Sequence, residues 1–140
     1  MPVTAVVGAQ WGDEGKGKIV DLLARDADIV ARFGGGSNAG HTIVNEFGAF
    51  KLHSLPSGAF NPSALNIVGT GTVVDFDSLS FEIEHVLASG ISNVQLAVSD
   101  RAHVVMPYHK VLDRTREQRR GEMRVGTTGQ GIGPAYVDKV

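Results

Sequence analysis

Val3 to Val7 is an apolar run that feeds directly into Gly8-Ala-Gln-Trp-Gly-Asp-Glu-Gly-Lys-Gly-Lys-Ile19, and a helix-patterned stretch through Leu23 follows. The order strand, glycine-rich loop, helix constrains the fold more than any other feature of the chain. A loop in that position exposes consecutive backbone N–H groups at a helix N-terminus, where the helix dipole favours anions. Gly12, Gly15 and Gly17 let the backbone approach phosphate oxygens closely and take a positive φ where the turn requires it. Lys16 and Lys18 add point charge. The segment reads as a nucleotide-phosphate loop.

Its departures from the common form carry further information. Gly12 to Lys18 fits G-x-x-x-x-G-K, but Ile19 stands where a Ser or Thr usually reaches Mg²⁺. Asp13 and Glu14 sit inside the loop, where a triphosphate would repel them. A carboxylate held there makes sense as a metal ligand, or as a base that removes a proton beside the γ-phosphate. The plain alternative is a helix N-terminus with stabilising acids in its first turn.

Further along, apolar runs alternate with helical patterns. Val3–Val7 is nearly all apolar, as expected of a strand covered on both faces. Ile19, Leu22 and Leu23 give the first helix a core face. Ile29–Phe33 reads as a second strand ending at Gly34, Gly35 and Gly36. Thr42–Val44 and Phe50–Leu52 form a hairpin through Asn45, Glu46, Phe47 and Gly48. Leu65–Val68 and Thr72–Val74 read as short strands around Gly69 and Gly71. Leu79, Ile83, Val86 and Leu87 are spaced for a helix capped by Asp77 or Ser78, with Gly90 just past its end. Val94–Val98 returns to strand. Pro107 opens another helix with Val111, Leu112 and Thr115 on one face. The pattern is α/β: a largely parallel sheet with a P-loop-like phosphate-binding loop, helices on both faces and one β-hairpin insertion. Ligand loops belong at the C-terminal ends of its strands.

Composition narrows the function classes. The net charge of −2 offers no global polycation for nucleic acid. The absence of Cys excludes a disulfide scaffold, a zinc–thiolate site and a thiol nucleophile. No apolar run approaches a membrane span, so a soluble cytoplasmic protein is the expectation. Most of the 18 glycines cluster at 8–17, 34–40 and 126–133, which points to loops shaped around ligands instead of general flexibility.

The second cluster, Gly34-Gly-Gly-Ser-Asn-Ala-Gly-His-Thr42, follows a strand and should open at the same sheet edge as the first. Asn38 offers two donors and an acceptor. Gly40 can turn its carbonyl to a metal because no Cβ blocks it. His41 is the one side chain in these loops whose ordinary pKa lies near neutrality. His53, His85, His103 and His109 lack such a context and read as structural or surface residues.

These residues together identify a family resemblance. Gln10 to Lys18 resembles the signature of adenylosuccinate synthetases, which join IMP to aspartate at the expense of GTP. Asn38-Ala-Gly-His-Thr42, Leu55-Pro-Ser-Gly58 and Gly126-Thr-Thr-Gly-Gln-Gly-Ile-Gly-Pro-Ala-Tyr136 resemble further segments of the same family, in the same order. The likeness runs from about Val3 to Val140. Family members are roughly three times this length, so 1–140 is expected to be an N-terminal piece of a larger single-domain fold, without an internal boundary.

The resemblance implies a mechanism. Asp13 takes the N1 proton of IMP, and the base's O6 attacks the γ-phosphate of GTP to give 6-phosphoryl-IMP. Aspartate's amino group then displaces the phosphate. Mg²⁺ is bound by the Asp13 carboxylate and the Gly40 carbonyl, while His41 and Lys16 support the charge that develops on the phosphates. GTP contacts fall on Gly12, Asp13, Glu14, Gly15, Lys16, Gly17, Lys18, Gly40, His41 and Thr42. IMP contacts fall on Asp13, Glu14, Gly15, Lys16, Asn38, Ala39, Gly40, His41 and Thr128. The complete protein is expected to be a homodimer, and the 140-residue chain alone is expected to turn over poorly. A non-catalytic nucleotide-phosphate-binding module is the alternative.

Lys110, Arg114, Arg116, Arg119, Arg120 and Arg124 form a basic run interrupted by Asp113, Glu117 and Glu122. It reads as a solvated helix face. RNA binding is a weaker reading because no aromatic residues interleave to stack bases, and a subunit contact is the remaining option.

Overall fold

A computed structural model describes residues 2–9 and 15–140. At its centre β4 (Leu65–Val74) pairs in parallel with β1 (Ile29–Gly35) on one side and with the short β5 (Leu96–Val98) and β6 (His103–Val104) on the other. A separate antiparallel hairpin, β2 (His41–Asn45) and β3 (Gly48–Leu52), hangs from the end of β1. The helices are α1 (Lys16–Ala24), α2 (Phe76–Ala88), α3 (Pro107–Arg119) and α4 (Ile132–Lys139). None of them is long and apolar enough to cross a membrane.

Two apolar clusters occupy opposite sides of β4. Val68 and Val74 pack with Leu79 and Val86 of α2 and with Ile43, Phe50 and Leu52 of the hairpin. Val73 packs with Val105 and with Ile132 and Ala135 of α4. Helices therefore cover both faces, and the hairpin is part of the larger core instead of an appendage. Loss of water-exposed apolar area drives both associations.

Several boundaries differ from the sequence reading. Residues 65–74 form one strand, not two, because Gly69 and Gly71 stay extended. The extra β4 residue is absorbed by a register shift against β1 between Arg32 and Gly34. The second helix starts at Phe76, behind Asp75 as its cap residue, and no cap side chain bonds to its backbone. The strand expected over Val94–Val98 is only Leu96–Val98.

Val3–Val7 forms no strand and is exposed, with Val3 at 94% and Val7 at 70%. Backbone ladders need a partner, and no described strand pairs with it. The apolar face assigned to the first helix is also exposed, since Ile19, Leu22 and Leu23 stay open and α1 buries Ala24. In α3 the core face is polar: His109 and Asp113 are buried while Val111 and Leu112 are exposed. Those two polar groups are buried because each has a partner on the segment leading to α4 or on α4 itself, which the apolar spacing could not register.

Candidate active site

Gly15 sits at the N-cap of α1 with φ 84°, the left-handed conformation that the loop needs to turn into the helix. Ile19 N–H and Lys18 N–H both bond back to the Gly15 carbonyl. Lys16 is half-buried and Lys18 exposed. Gly12, Asp13 and Glu14 lie outside the described residues, so their expected roles as base, metal ligand and phosphate contacts rest on the sequence.

Two residues into α1, Gly17 meets His41, the first residue of β2. A Cβ on Gly17 would fall 2.5 Å from the His41 Cβ, and the Cγ and Cδ2 of the ring are nearly as close. The first and second glycine clusters thus converge at one place. The other edge of the ring is held too: His41 Nε2 lies 3.0 Å from the Ser57 hydroxyl. Ser57 belongs to a 3-10 turn, Ser57–Phe60, in the Leu55-Pro-Ser-Gly58 segment. Burial, and secondarily the charge of Arg32, hold the His41 pKa below the usual imidazole value, against a smaller opposing pull from Glu82. His41 therefore stays neutral at pH 7.

Asn38, Ala39, Gly40 and Thr42 are exposed around it. Gly40 is a glycine for a reason the sequence did not reveal. A Cβ there would fall 2.7 Å from Cε1 of His53. The His53 ring is anchored by Nδ1 on the Ser37 carbonyl, 3.0 Å away. His53, expected as a structural or surface residue, thus packs against the second glycine cluster.

Two charged residues brace this region, and the sequence reading assigned neither. Arg32 of β1 donates to the carbonyls of Gly34, Gly36 and His53, fixing the loop after β1 against the end of β3. Glu82 is 4% exposed, and its carboxylate accepts the N–H groups of His53, Ser54 and Leu55 at 2.9–3.1 Å and the Ser78 hydroxyl at 3.2 Å. A signal existed for both. Arg32 interrupts the apolar run Ile29–Phe33, and Glu82 falls on the apolar face of α2 at helical spacing from Leu79 and Val86. A charge on a core face is informative because it needs partners to be there.

The third glycine cluster arrives beside the second through α4. Ile132 packs on Gly36, where a Cβ would meet its Cδ1 at 2.7 Å. The Tyr136 hydroxyl accepts the Gly35 N–H at 2.9 Å and donates to the Gly71 carbonyl at 2.8 Å. On the far side of α4, buried Asp113 accepts the Gly131 N–H, and His109 Nε2 and the Tyr108 hydroxyl both bond to Asp138. Those bonds hold the Asp138 carboxyl below its ordinary range. Thr128 is exposed on the loop before α4, and it makes no hydrogen bond to the residues of the second cluster.

The basic run lies largely in solvent, with Arg114, Arg116, Arg119 and Arg120 exposed. Lys110 is the exception, paired with buried Asp75. A cavity of about 260 Å³ opens between α1, the hairpin turn and the 3-10 turn, lined by Asp21, Arg25, Glu46, Phe47, Ser57 and Phe60 among others. No group of three or more His, Cys, Asp or Glu side chains forms a metal cluster among the described residues.

Comparison with known proteins gives one family. The adenylosuccinate synthetase family profile matches residues 5–140. The adenylosuccinate synthetase of Caldicellulosiruptor saccharolyticus is 59% identical over 137 residues, covering 98% of this chain and 32% of that one. That of Dehalococcoides mccartyi strain BAV1 is 54% identical over 139 residues, covering 99% and 33%. Among solved structures, fully ligated adenylosuccinate synthetase from Plasmodium falciparum superposes with a TM-score of 0.84 at 41% identity, over 94% of this chain and 31% of that one. The cyanophage S-2L succinoaminodeoxyadenylate synthetase, bound to dGMP and to dATP as energy donor, superposes with a TM-score of 0.74 at 30% identity, over 93% and 35%. The chain spans about a third of the length of the relatives it matches.

Proposed function

The chain belongs to the adenylosuccinate synthetase family, and we propose that it carries the phosphate-activating half of the reaction joining IMP and L-aspartate at the expense of GTP. The observation that supports this most directly is the packing of His41 on Gly17. It seats a neutral imidazole against the first turn of the helix that follows the phosphate loop.

On this reading Asp13 removes the N1 proton of IMP, and O6 becomes the nucleophile. The O6–phosphorus bond forms as the bond from the γ-phosphorus to the bridging oxygen breaks, releasing GDP. The amino group of aspartate then attacks C6, and inorganic phosphate leaves with the former O6. His41 donates a hydrogen bond to the phosphate oxygens, and Lys16, Lys18 and the N–H groups of α1's first turn balance the charge. Gly15 and Gly17 let the GTP phosphates approach, Gly40 and Thr42 flank them, and Asn38, Ala39 and Thr128 contact IMP. Positioning and electrostatics supply most of the acceleration in phosphoryl transfer.

The residues present fit Mg²⁺. Gly40 is an exposed residue whose carbonyl accepts no hydrogen bond from a described residue, and oxygen donors of this kind suit a hard cation. Gly40 and Asp13 would hold it, and when bound it neutralises phosphate charge. A cytoplasmic, homodimeric setting belongs to the same proposal.

Phosphate and adenylosuccinate release, with GTP, IMP, aspartate and Mg²⁺ omitted in turn and Asp13→Asn as control, tests the reading. Product that requires all four and vanishes in the variant supports it for this chain. Saturable GTP or IMP binding with no product at any enzyme concentration would mark a binding module, and a chain continued to the relatives' length would then be assayed alongside. No nucleotide binding at all overturns the proposal.

A further inference from the structure

The Ser57 hydroxyl is buried, and its one hydrogen-bond partner is Nε2 of His41, 3.0 Å away. A buried O–H without an acceptor carries its full desolvation penalty, so a hydroxyl that has a ring nitrogen in reach gains by donating to it. Among the described residues, the acceptor that the structure pairs with it is the Nε2 lone pair. If Nε2 carried a proton instead, two donors would face each other or the hydroxyl proton would be left without a partner among the described residues. We infer that Ser57 is a positioning residue that holds His41 in the Nδ1–H tautomer, so that the ring faces its ligand as a hydrogen-bond donor and never as a base.

The rest of the geometry agrees. Gly17 closes off the Cβ–Cγ–Cδ2 edge of the ring, and Ser57 occupies Nε2. Nδ1 is the one polar ring atom left without a partner in the described structure. An N–H fixed there in advance pays its ordering cost during folding and suits an oxygen anion such as a phosphate oxygen. Ser57 is itself held firmly. Glu82 binds the N–H groups of residues 53–55, two residues before it, and Arg32 grips the carbonyl of His53. The serine in Leu55-Pro-Ser-Gly58 thus sets the protonation pattern of a histidine sixteen residues away.

The assignment of the ligand oxygen rests on the function proposed above, but the tautomer does not. It can be read in the 140-residue chain without nucleotide, from long-range ¹H–¹⁵N correlations of the histidine rings at pH 7.5, with His41 assigned by His41→Gln. The expected wild-type pattern is a protonated Nδ1 and an unprotonated Nε2. In Ser57→Ala the two nitrogens should move toward a common, averaged position. Ser54→Ala removes another buried hydroxyl, one with no partner, and should leave His41 unchanged. A protonated Nε2 in the wild type, or an unaltered pattern in Ser57→Ala, overturns the inference. The wild-type spectrum decides even if the alanine variant folds poorly. Titrating GTP into the same sample tests the function separately, so a fixed Nδ1–H without GTP binding would sink that reading and leave this one standing.

Discussion

Gly17 and His41 are packed so closely that one side chain excludes the other: a Cβ on Gly17 would lie 2.5 Å from that of His41. On helix propensity alone, Gly17→Ala inside α1 should stabilise the chain by about 1 kcal/mol. The contact reverses the sign. Relief requires α1 or β2 to move, and overpacking of this kind costs about 1–3 kcal/mol. Urea unfolding should therefore show a lower midpoint for Gly17→Ala, with GTP binding weakened as well. A midpoint at or above wild type would mean that the two elements are not held at this distance.

Glu82 places a carboxylate where an apolar residue would be expected, and three consecutive N–H groups converge on it. Glu82→Gln keeps the shape and turns an amide donor toward those donors. The expected loss is about 2–3 kcal/mol, typical of removing charge-assisted hydrogen bonds and stranding buried N–H groups. Hydrogen exchange at residues 53–55 should accelerate more than exchange in β5. Equal acceleration in both would point to global loosening instead of release of this segment.

How far the sequence reaches is clear from individual residues. The hairpin from His41 to Leu52 was legible because turn residues separate two strand-like runs, and β1 because its apolar run ends at three glycines. The first two glycine clusters were expected to share a sheet edge because each follows a strand-like run. Val3–Val7 forms no strand, however, and they meet instead where Gly17 of α1 packs on His41. What was not legible depends on partners distant in the chain. His109 and Asp113 look like ordinary polar helix residues until Asp138 and Gly131 are brought against them. That a side chain at Gly40 would collide with the His53 ring could not be read from the sequence either. Val3–Val7 had the composition of a buried strand, but composition does not supply a ladder partner. Ser57 was part of a recognised motif, yet its role follows only from its place beside His41.

Arg32 joins three carbonyls that no other described side chain reaches: Gly34, Gly36 and His53. Its planar fork can satisfy all three at once, and a lysine ammonium cannot in the same geometry. Arg32→Lys should thus keep the charge and still lose about 1–3 kcal/mol of stability, through carbonyls left unpaired. Addition of guanidinium at low concentration should not restore it. If the lysine variant unfolds at the wild-type midpoint, charge alone is what matters at this position.

Acid should weaken this fold partly through His41. Burial first, and the charge of Arg32 second, depress its pKa in the folded chain, while in the unfolded chain an imidazole titrates near about 6.5. Between the two values the unfolded chain holds more protons, so stability rises with pH across that window. The contribution of His41 is therefore complete above the unfolded value and is lost as pH falls through the folded one. The urea midpoint of the wild type should drop between pH 7.5 and pH 5.5 by more than that of His41→Gln, whose amide can still meet Ser57 but cannot titrate. Comparing the two slopes cancels the other histidines, which both proteins share. Parallel slopes would show that His41 takes up its proton in the folded chain as readily as in the unfolded one, and that the packing around it does not exclude the charged ring.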